Sequence, residues 1–498
     1  MNRFVLILLF VLAVLPVRGR QTFNVHDYGA KGDGVSIDTK AINAAIAEAS
    51  KAHGGMVVFP AGTYLSYSIH LESNIILRLD EGAAIKAAPF TEMRGYDAPE
   101  PNESDYQDFG HSHWHNSLMW GENLHHITIE GKGLIDGTGV LSRGGMRQKW
   151  PGITEANKAL ALKNCRDVTV KGISFLNCGH FALLFTGVND VLIEDVKADT
   201  NRDAFDIDCC EHVVIRGCKV NTPNDDAIVL KCSYALGYAK PTENVLIEHC
   251  EVSGYDVGSM LAGTCTTLQQ TAPDGDGPTG RIKLGTESTG GFRNIKIRDC
   301  TFTHCRGLAL ETVDGAEMCD IDVRRIIMND ICNSPIYIRL GDRMRAPAGQ
   351  QASSAHNIRI RDVKVKNADS RYACLIVGCE NNPVSNVKMQ NVDIEFRGGL
   401  TLDDVHEQRG SNPFFVHPKE EPHKGVGKCY PEPSAHGIQP AWGFAIYHAD
   451  GVKLKDIRLS LMQKDERKMM NTENVKHLKI KRMSETCSIN NIMKAIKH

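Results

Sequence analysis

Three aspartates lie at two points of the chain that are about one repeat apart. Asp203 occurs in NRDAFDID, and Asp225 and Asp226 occur together in TPNDDAIVLK. Neighbouring like charges repel each other, so this grouping contributes no stability and indicates a function. Glycosidases use one protonated carboxyl group and one carboxylate, while hard cations such as Ca²⁺ bind several carboxylates at once. Either chemistry requires that the aspartates share one surface of the fold.

A repeated sequence unit predicts that the three aspartates share one surface of the fold. Copies of the pattern seen in DVTVKGISF begin at Asn74, His126, Asp167, Asp190, His212, Asn244, Asn294, Asn357 and Asn386. Apolar residues alternate within each copy, which is the period of a strand, and no helical pattern separates the copies. The sequence therefore predicts an all-β fold, a right-handed parallel β-helix of about 10–12 rungs. A 22-residue turn would place Asp203 beside Asp225 on adjacent strands, about 5 Å apart.

The amino terminus predicts export. Residues 1–19 combine an early arginine, an apolar stretch and small residues before a cut, which is typical of a signal peptide. The apolar stretch is too short to span a bilayer, and no cysteine for a lipid anchor lies near the cut. We therefore expect a secreted or periplasmic protein without a membrane span.

The remaining segments complete one catalytic domain over residues 20–464. An amphipathic helix within residues 38–55 is expected to cap the open amino-terminal end of the coil. Residues 406–437, which are rich in Pro, Gly and His, are interpreted as a long loop on the coil. Residues 465–498 are predicted to form a terminal rung or tail.

Composition excludes several classes of function. The net charge of −3 gives no basic excess for nucleic-acid binding. The 16 cysteines include four at one point of the repeat, Cys165, Cys218, Cys250 and Cys300. We interpret these four as a buried column of free thiols, with one or two disulfides among the others. The sequence contains no pair of CxxC units, which would suggest a zinc site, so we expect no metal or cofactor. We also expect the protein to be a monomer.

Beyond these patterns, the chain resembles glycoside hydrolase family 28, the polygalacturonase-like, pectin-active parallel β-helix enzymes. The resemblance rests on FNVHDYGAKGDGVSIDTKAINAAI, VVFPAGTYL, SLMWGENLHHITIEGKGLIDGTG and, most specifically, NRDAFDIDCCEHVVIRGCKVNTPNDDAIVLK. It implies inverting hydrolysis of an α-linked, galacturonate-containing pectic polysaccharide or oligosaccharide. It also implies that Asp225 is the general acid and that Asp203 and Asp226 hold the attacking water.

Two family motifs that contact substrate differ in this chain. The histidine of the family's Gly-His-Gly motif corresponds to Thr279, and its Arg-Ile-Lys motif corresponds to a strand with Ala309 and Glu311 at the cation positions. A literal RIK occurs one strand earlier and places Lys283 on the outward face of Thr279. Because Glu311 would repel a uronate, the substrate is expected to present a neutral sugar there, which favours exo-acting or rhamnogalacturonan-directed hydrolysis.

Other residues are candidates for the rim of the cleft. Arg339, Arg343 and Arg345 are alternative readers of an acidic sugar. In HSHWHNS, the histidines 111, 113 and 115 are expected to edge the cleft, with Trp114 as a surface for sugar stacking and a metal site as the weaker alternative.

Two other functions remain open at this point. A calcium-dependent polysaccharide lyase would use the aspartates as metal ligands and would need a cationic base, for which Lys231 and Lys283 are the candidates. A non-catalytic glycan-binding β-helix would use neither the aspartates nor the lysines for chemistry. We also retain Lys231 as a candidate substrate-binding residue.

Overall fold

The computed structural model describes residues 21–89, 95–101, 106–107, 109–141, 158–408 and 430–487. The predicted signal peptide and the centre of the predicted long loop lie outside these ranges. The described part of the chain is almost entirely β-structure, and all of its inter-strand ladders are parallel apart from one isolated bridge between Cys379 and Asn382. The predicted fold class is confirmed: the chain forms a right-handed parallel β-helix.

The strands of the amino-terminal half are β1 Thr22–Asn24, β2 Asp33–Ile37, β3 Gly55–Phe59, β4 Gly62–Ser66, β5 Ile69–His70, β6 Ile75–Leu79, β7 Ala83–Ala87, β8 Met119–Glu122, β9 His125–Gly131, β10 Leu134–Asp136, β11 Lys158–Lys163, β12 Arg166–Lys171, β13 Ser174–Leu176, β14 Phe181–Thr186, β15 Asn189–Glu194, β16 Lys197–Asp199, β17 Phe205–Asp208, β18 Glu211–Arg216, β19 Lys219–Asn221 and β20 Ile228–Cys232. The remaining strands are β21 Thr242–Glu248, β22 Glu251–Ser253, β23 Ile282–Ser288, β24 Phe292–Arg298, β25 Thr301–Cys305, β26 Leu308–Thr312, β27 Glu317–Ile331, β28 Ile336–Leu340, β29 Ser354–Ala368, β30 Cys374–Val377, β31 Val384–Phe396, β32 Ala441–Asp450, β33 Lys453–Leu461, β34 Lys468–Lys476 and β35 Lys479–Cys487. The helices are α1 Thr39–Lys51 and α2 Leu402–Glu407, and short 3₁₀ turns cover Val25–Tyr28, Phe109–His111 and Pro433–His436.

These strands form three faces of the coil. The first sheet stacks β1, β3, β6, β9, β12, β15, β18, β21 and β24 on the long strands β27, β29, β31, β33 and β35. The second sheet stacks β2, β4, β7, β10, β13, β16, β19, β22 and β25, and then merges into β27. The third sheet contains twelve strands within the described ranges, β5, β8, β11, β14, β17, β20, β23, β26, β28, β30, β32 and β34. The outward side of the third sheet carries the candidate site.

The repeated Asn, Asp or His of each sequence unit has a backbone explanation. All nine of these residues have φ between 50° and 64°, in the left-handed region. Asn, Asp and His tolerate this conformation better than most side chains. Their amides also stack, since the Asn294 side chain donates to Asn244 at 2.7 Å and Asn386 donates to Asn357 at 2.6 Å. The repeat therefore encodes the corner that leads the chain into the first sheet.

Inside the coil, equivalent residues of successive rungs form apolar columns. One column in the first sheet contains Ile129, Val170, Ile193, Ile215, Ile247, Ile297, Val323, Ile360 and Met389, each paired with the next. All nine are buried. Because each rung covers the apolar face of the previous one, stability comes mainly from contacts between neighbouring rungs.

The four repeated cysteines are buried, as predicted, and their thiols are free. The further prediction of one or two disulfides is wrong for the described part of the chain, where all fifteen cysteines are free. The column is explained by its position in the coil, which admits only a small apolar side chain.

The two ends of the coil are closed differently. Helix α1 covers the amino-terminal end with a buried face that contains Ile42, Ala45, Ile46 and Ala49, which confirms the predicted cap. At the other end, β34 and β35 pair with the preceding rung but expose most of their side chains. In the described ranges, no helix is long and apolar enough to cross a membrane.

Candidate active site

The three aspartates lie just before two adjacent strands of the third sheet. Phe205 in β17 pairs with Ile228 in β20, so the rung is 23 residues long at this point. The predicted 22-residue register is therefore wrong by one, and Asp226 rather than Asp225 is the residue in register with Asp203. The Asp226 backbone N–H donates to Asp203 Oδ1 at 3.2 Å and to Asp225 Oδ1 at 3.1 Å. The extra residue lets both aspartates of the pair face the same cluster.

The three carboxyl groups form a compact cluster. One oxygen from each of Asp203, Asp225 and Asp226 lies within 4.8 Å of the other two. Carboxyl groups of inverting glycosidases are typically about 6.5–9.5 Å apart, and those of retaining enzymes about 5–5.5 Å. The nearest oxygens here are closer than the separation we expected from an inverting mechanism. Stereochemistry is therefore a question for direct measurement.

The surroundings of Asp203 and Asp225 shift the pKa values of these two groups in opposite directions. Burial, followed by repulsion from Asp225, raises the pKa of Asp203 well above its ordinary value. Burial also acts to raise the pKa of Asp225, but the guanidinium of Arg202 outweighs it and holds that pKa below its ordinary value. Arg202 Nε donates to Asp225 Oδ2 at 2.8 Å. These opposite shifts favour Asp203 as the protonated member of the pair, whereas the family resemblance implied that Asp225 is the acid.

Arg202 is itself oriented by a buried histidine. Its Nη1 donates to His180 Nδ1 at 3.0 Å. Burial and the charge of Arg202 lower the pKa of His180 well below its ordinary value, so the imidazole remains neutral and accepts this hydrogen bond. His180 and Arg202 therefore form a positioning pair for Asp225.

A charged group on one side of the aspartates, the Lys231 network, consists of Lys231, His111, Asp206 and Glu287. Lys231 Nζ lies 3.0 Å from Asp206 Oδ2 and 3.3 Å from Glu287 Oε2, and it contacts His111 Nε2. His111 Nε2 also lies 3.2 Å from Asp206 and 3.9 Å from Asp203. Burial opposes the charged form of Lys231, but Asp206 and Glu287 hold its pKa above the ordinary value. The predicted binding residue Lys231 therefore lies beside the aspartates and is paired with two carboxylates.

A second group on the opposite side, the Glu432 network, consists of Glu432, Arg281, Lys283 and Arg306. Arg281 donates to Asp226 Oδ1 at 2.8 Å through Nε, and its two terminal nitrogens both bind Glu432. Lys283 Nζ lies 3.5 Å from Asp226 and 3.8 Å from Glu432. Burial acts against the ionised form of Glu432, but Arg281, followed by Arg306, lowers its pKa to about 2.

Lys283 and Glu311 are present at the site, but they differ from their predicted roles. Lys283 is 1% exposed, so it is a buried lysine rather than a solvated one, and it lies 3.5 Å from Glu311. Glu311 is completely buried beneath Lys283, and burial raises its pKa to about 8. The prediction that Glu311 repels a uronate is wrong, because this side chain does not reach the surface and is protonated at neutral pH.

Thr279 and Arg339 are the other predicted contact residues. Thr279 lies beside Asp225, since the N–H of the next residue, Gly280, donates to the Asp225 carbonyl oxygen at 3.0 Å, and its binding role stays a prediction. Arg339 lies in β28, three strands beyond β20 in the third sheet. It is buried and donates to the carbonyl oxygen of Gly378 at 3.3 Å, which contradicts its predicted contact with substrate.

Arg343 and Arg345 are engaged by carboxylates of the protein itself. Arg343 binds Asp314 at 2.5 Å, and Arg345 binds Glu287 at 3.2 Å. They therefore support the Lys231 network rather than form a separate reader of an acidic sugar. Trp114 is also not a stacking surface, because it is 1% exposed and donates its indole N–H to Thr186.

Sequence reasoning missed several residues of this site. Arg202 had a signal, because it lies between Asn201 and Asp203 in the motif. Arg281 belongs to the RIK that lies one strand before the position expected from the family, and only Lys283 of that motif is among the predicted residues. Glu432 had no signal, since it is 151 residues from Arg281 in a segment with no strand pattern.

Comparison with known proteins supports the fold. The family model described as rhamnogalacturonase A/epimerase, pectate lyase-like matches residues 22–256. A probable polygalacturonase of Vitis vinifera is 24% identical over 397 residues, covering 74% of this chain and 73% of that protein. An exopolygalacturonase of Thermotoga maritima superposes with a TM-score of 0.57 at 20% identity, covering 76% of this chain and 89% of that one. A family 28 exopolygalacturonase of Yersinia enterocolitica gives 0.60 at 15% identity, covering 92% and 78%.

Proposed function

We propose that the chain is a polygalacturonase-like glycosidase that hydrolyses an α-linked, galacturonate-containing pectic polysaccharide or oligosaccharide. The matching family model and the similarity to polygalacturonases support this proposal. The observation that carries this proposal is the contact of three carboxyl groups in one cluster, two of which have pKa values shifted in opposite directions. Burial raises the pKa of Asp203, whereas Arg202, at 2.8 Å, outweighs burial and lowers the pKa of Asp225. One carboxylic acid and one carboxylate in contact are the two groups that glycoside hydrolysis needs.

The proposed division of labour follows from these charge states. Asp203 supplies the proton to the glycosidic oxygen, and the carboxylates of Asp225 and Asp226 orient and deprotonate the attacking water. Asp225 is the member that solvent reaches, since 26% of its side chain is exposed against 4% for Asp203. Arg202 keeps Asp225 ionised, and Arg281 orients Asp226.

The finer features of the reaction are part of the same proposal. Inversion at the anomeric carbon is supported by the family resemblance, and exo-action is supported by the two exopolygalacturonases with the same fold. Action on rhamnogalacturonan is supported by the description of the family model that matches residues 22–256. Export is supported by the signal-like residues 1–19.

The calcium-dependent lyase receives less support from the site. Arg202 and Arg281 already bind oxygens of Asp225 and Asp226. A divalent cation among these carboxylates would have to displace or approach two guanidinium groups, which is electrostatically unfavourable.

Product analysis tests the function. The mature protein is incubated with homogalacturonan, rhamnogalacturonan and short oligomers, with and without a chelator, and the products are examined by mass spectrometry and proton NMR. Hydrolysis predicts saturated products with one water added and no effect of the chelator. Unsaturated, chelator-sensitive products would indicate a lyase, and intact substrate bound without cleavage would indicate a glycan-binding protein. The first-formed anomer distinguishes inversion from retention.

A further inference from the structure

The Glu432 network has the composition of a carboxylate-binding site whose carboxylate is supplied by the protein. Arg281 binds Glu432 through both terminal nitrogens, which is the arrangement by which arginine recognises a free carboxylate. Arg306 Nη1 lies 3.5 Å from the same side chain, and Lys283 Nζ lies 3.8 Å from it. Three cations thus converge on one carboxylate, directly beside Asp226.

The charges of this region are balanced before any ligand binds. The positive charges of Arg281, Lys283 and Arg306 face the carboxylates of Glu432, Asp226 and Asp274, and Arg306 binds Asp274 at 2.7 Å. Glu311 adds no charge near neutral pH. A uronate placed here would bring a fourth negative charge against three cations that are already paired.

The segment that carries Glu432 is held firmly against the third sheet. Its His436 contacts the hydroxyl group of Tyr337 at 2.9 Å, and Gln439 accepts a hydrogen bond from Tyr447 at 2.8 Å. Residues 432–439 are buried throughout. Glu432 is 3% exposed, and removing one partner of such a buried ion pair is costly. A sugar carboxylate therefore does not readily replace it.

From these contacts we propose that Glu432 is a specificity-determining residue. It occupies the carboxylate site formed by Arg281, Lys283 and Arg306, so that the sugar bound beside Asp226 is neutral rather than a uronate. Tyr430, whose ring is 42% exposed and lies 5.3 Å from Lys283 Nζ, offers an apolar surface on which the face of a neutral sugar can pack. The inference rests on the proposed function, because it assigns the sugar class at one subsite of the same cleft.

Binding measurements test the proposal without requiring turnover. Galacturonate and galactose are titrated into the parent and Glu432→Gln by ligand-observed NMR and calorimetry. Glu432→Gln leaves the arginine pair without its carboxylate, and we expect it to bind galacturonate at least tenfold more tightly than the parent does, about 1.4 kcal/mol. Binding of galactose should be unchanged. Equal galacturonate affinity in the two proteins would overturn the proposal.

Glu311→Gln is the matched control. It changes a glutamate that also contacts Lys283, but one that is protonated near neutral pH, so it should not increase galacturonate binding. An equal gain in both variants would indicate a general charge effect and would contradict the specific role of Glu432.

A structure of the parent keeps the proposal testable if Glu432→Gln does not fold. Crystals soaked with digalacturonate should show Glu432 still bound to Arg281, with no sugar carboxylate on Arg281, Lys283 or Arg306. A sugar carboxylate in that position, with Glu432 displaced, would overturn the inference. Failure of the parent to cleave any pectic substrate would instead contradict the proposed function, because neither binding measurement depends on cleavage.

Discussion

The Lys231 network and the Glu432 network flank the same aspartates, but the two are built in different ways. Lys231, Asp206 and Glu287 all belong to adjacent strands of the third sheet, β20, β17 and β23. Glu432 instead comes from a segment 151 residues beyond its partner Arg281. Apart from His111, which lies 120 residues before Lys231, the first network follows from strand register, whereas the second depends on how a distant segment packs. A site on a solenoid can therefore combine residues of the repeating strands with residues of a segment inserted between them.

The two networks are alike in their balance of charge. In both networks buried cations are matched by buried carboxylates, so neither has a large charge left to attract an acidic ligand. Buried ion pairs of this kind contribute little net stability, but losing one partner is expensive. We therefore regard both networks as devices that set the position and charge of the aspartates between them.

The largest expected effect is the loss of activity on changing the aspartates that lie between the two networks. Asp203→Asn and Asp225→Asn should each lower kcat about 10²- to 10⁴-fold, because each removes one half of the acid–base pair. Asp203→Asn should change the melting temperature little, since burial already favours the neutral form of this carboxyl group. Asp225→Asn should lower the melting temperature, because the buried Arg202 loses its carboxylate partner. Rates on the best pectic substrate and thermal unfolding are the measurements. Asp190→Asn, an exposed change on the first sheet, is the control and should leave the rate unchanged.

The next largest effect is the loss of stability when a carboxylate of either network is replaced, and the two networks should differ in it. Glu432→Gln should destabilise the protein by about 3–5 kcal/mol, because Arg281 and Arg306 both lose a buried partner. Glu287→Gln should cost less, since Lys231 retains Asp206 at 3.0 Å. Glu317→Gln, which breaks a half-exposed pair with Arg293, should cost about 1 kcal/mol or less. If calorimetry shows that Glu287→Gln lowers the free energy of unfolding most, the Glu432 network does not contribute more to stability than the Lys231 network does.

The pH dependence of activity tests the role of Arg202. Arg202→Gln removes the charge that lowers the pKa of Asp225, so that pKa should rise. Because Asp225 acts ionised, the acidic limb of the kcat/KM profile should move to higher pH by more than the alkaline limb does. Arg216→Gln, on the exposed first sheet, should move neither limb. A shift mainly of the alkaline limb would identify Asp225 as the acid.

The smallest effect concerns Glu311, beneath the Glu432 network. Its folded pKa of about 8 lies above the ordinary value of 4.5, so the folded protein binds a proton that the unfolded chain releases. The resulting contribution to stability is present below about pH 4.5 and is lost as pH rises to about 8. Glu311→Gln cannot titrate, and its melting temperature relative to the parent should therefore increase by a few degrees between pH 5 and pH 9. A constant difference across this range would contradict a buried, protonated Glu311.

Much of the site was predictable from sequence because it follows local rules. Asp203, Asp225 and Asp226 were placed together by the repeat, and the error of one residue arose because the rung at this point contains 23 residues rather than 22. The role of Lys231 beside the cluster follows from the same register. Glu311 was misjudged because alternation predicts that it faces outward, but not that Lys283 covers it.

The sequence by itself determined the repeat, the inward apolar columns and the left-handed Asn, Asp and His corners, because each depends on residues within one rung or on the rung directly beside it. Only the tertiary structure decided the opposite pKa shifts of Asp203 and Asp225 and which carboxylate occupies the cationic site beside Asp226. A pKa depends on burial and on every charge within a few ångströms. The decisive charges here, Arg202 on Asp225 and Glu432 on Arg281, act through space across rungs and loops, and no periodic pattern records them.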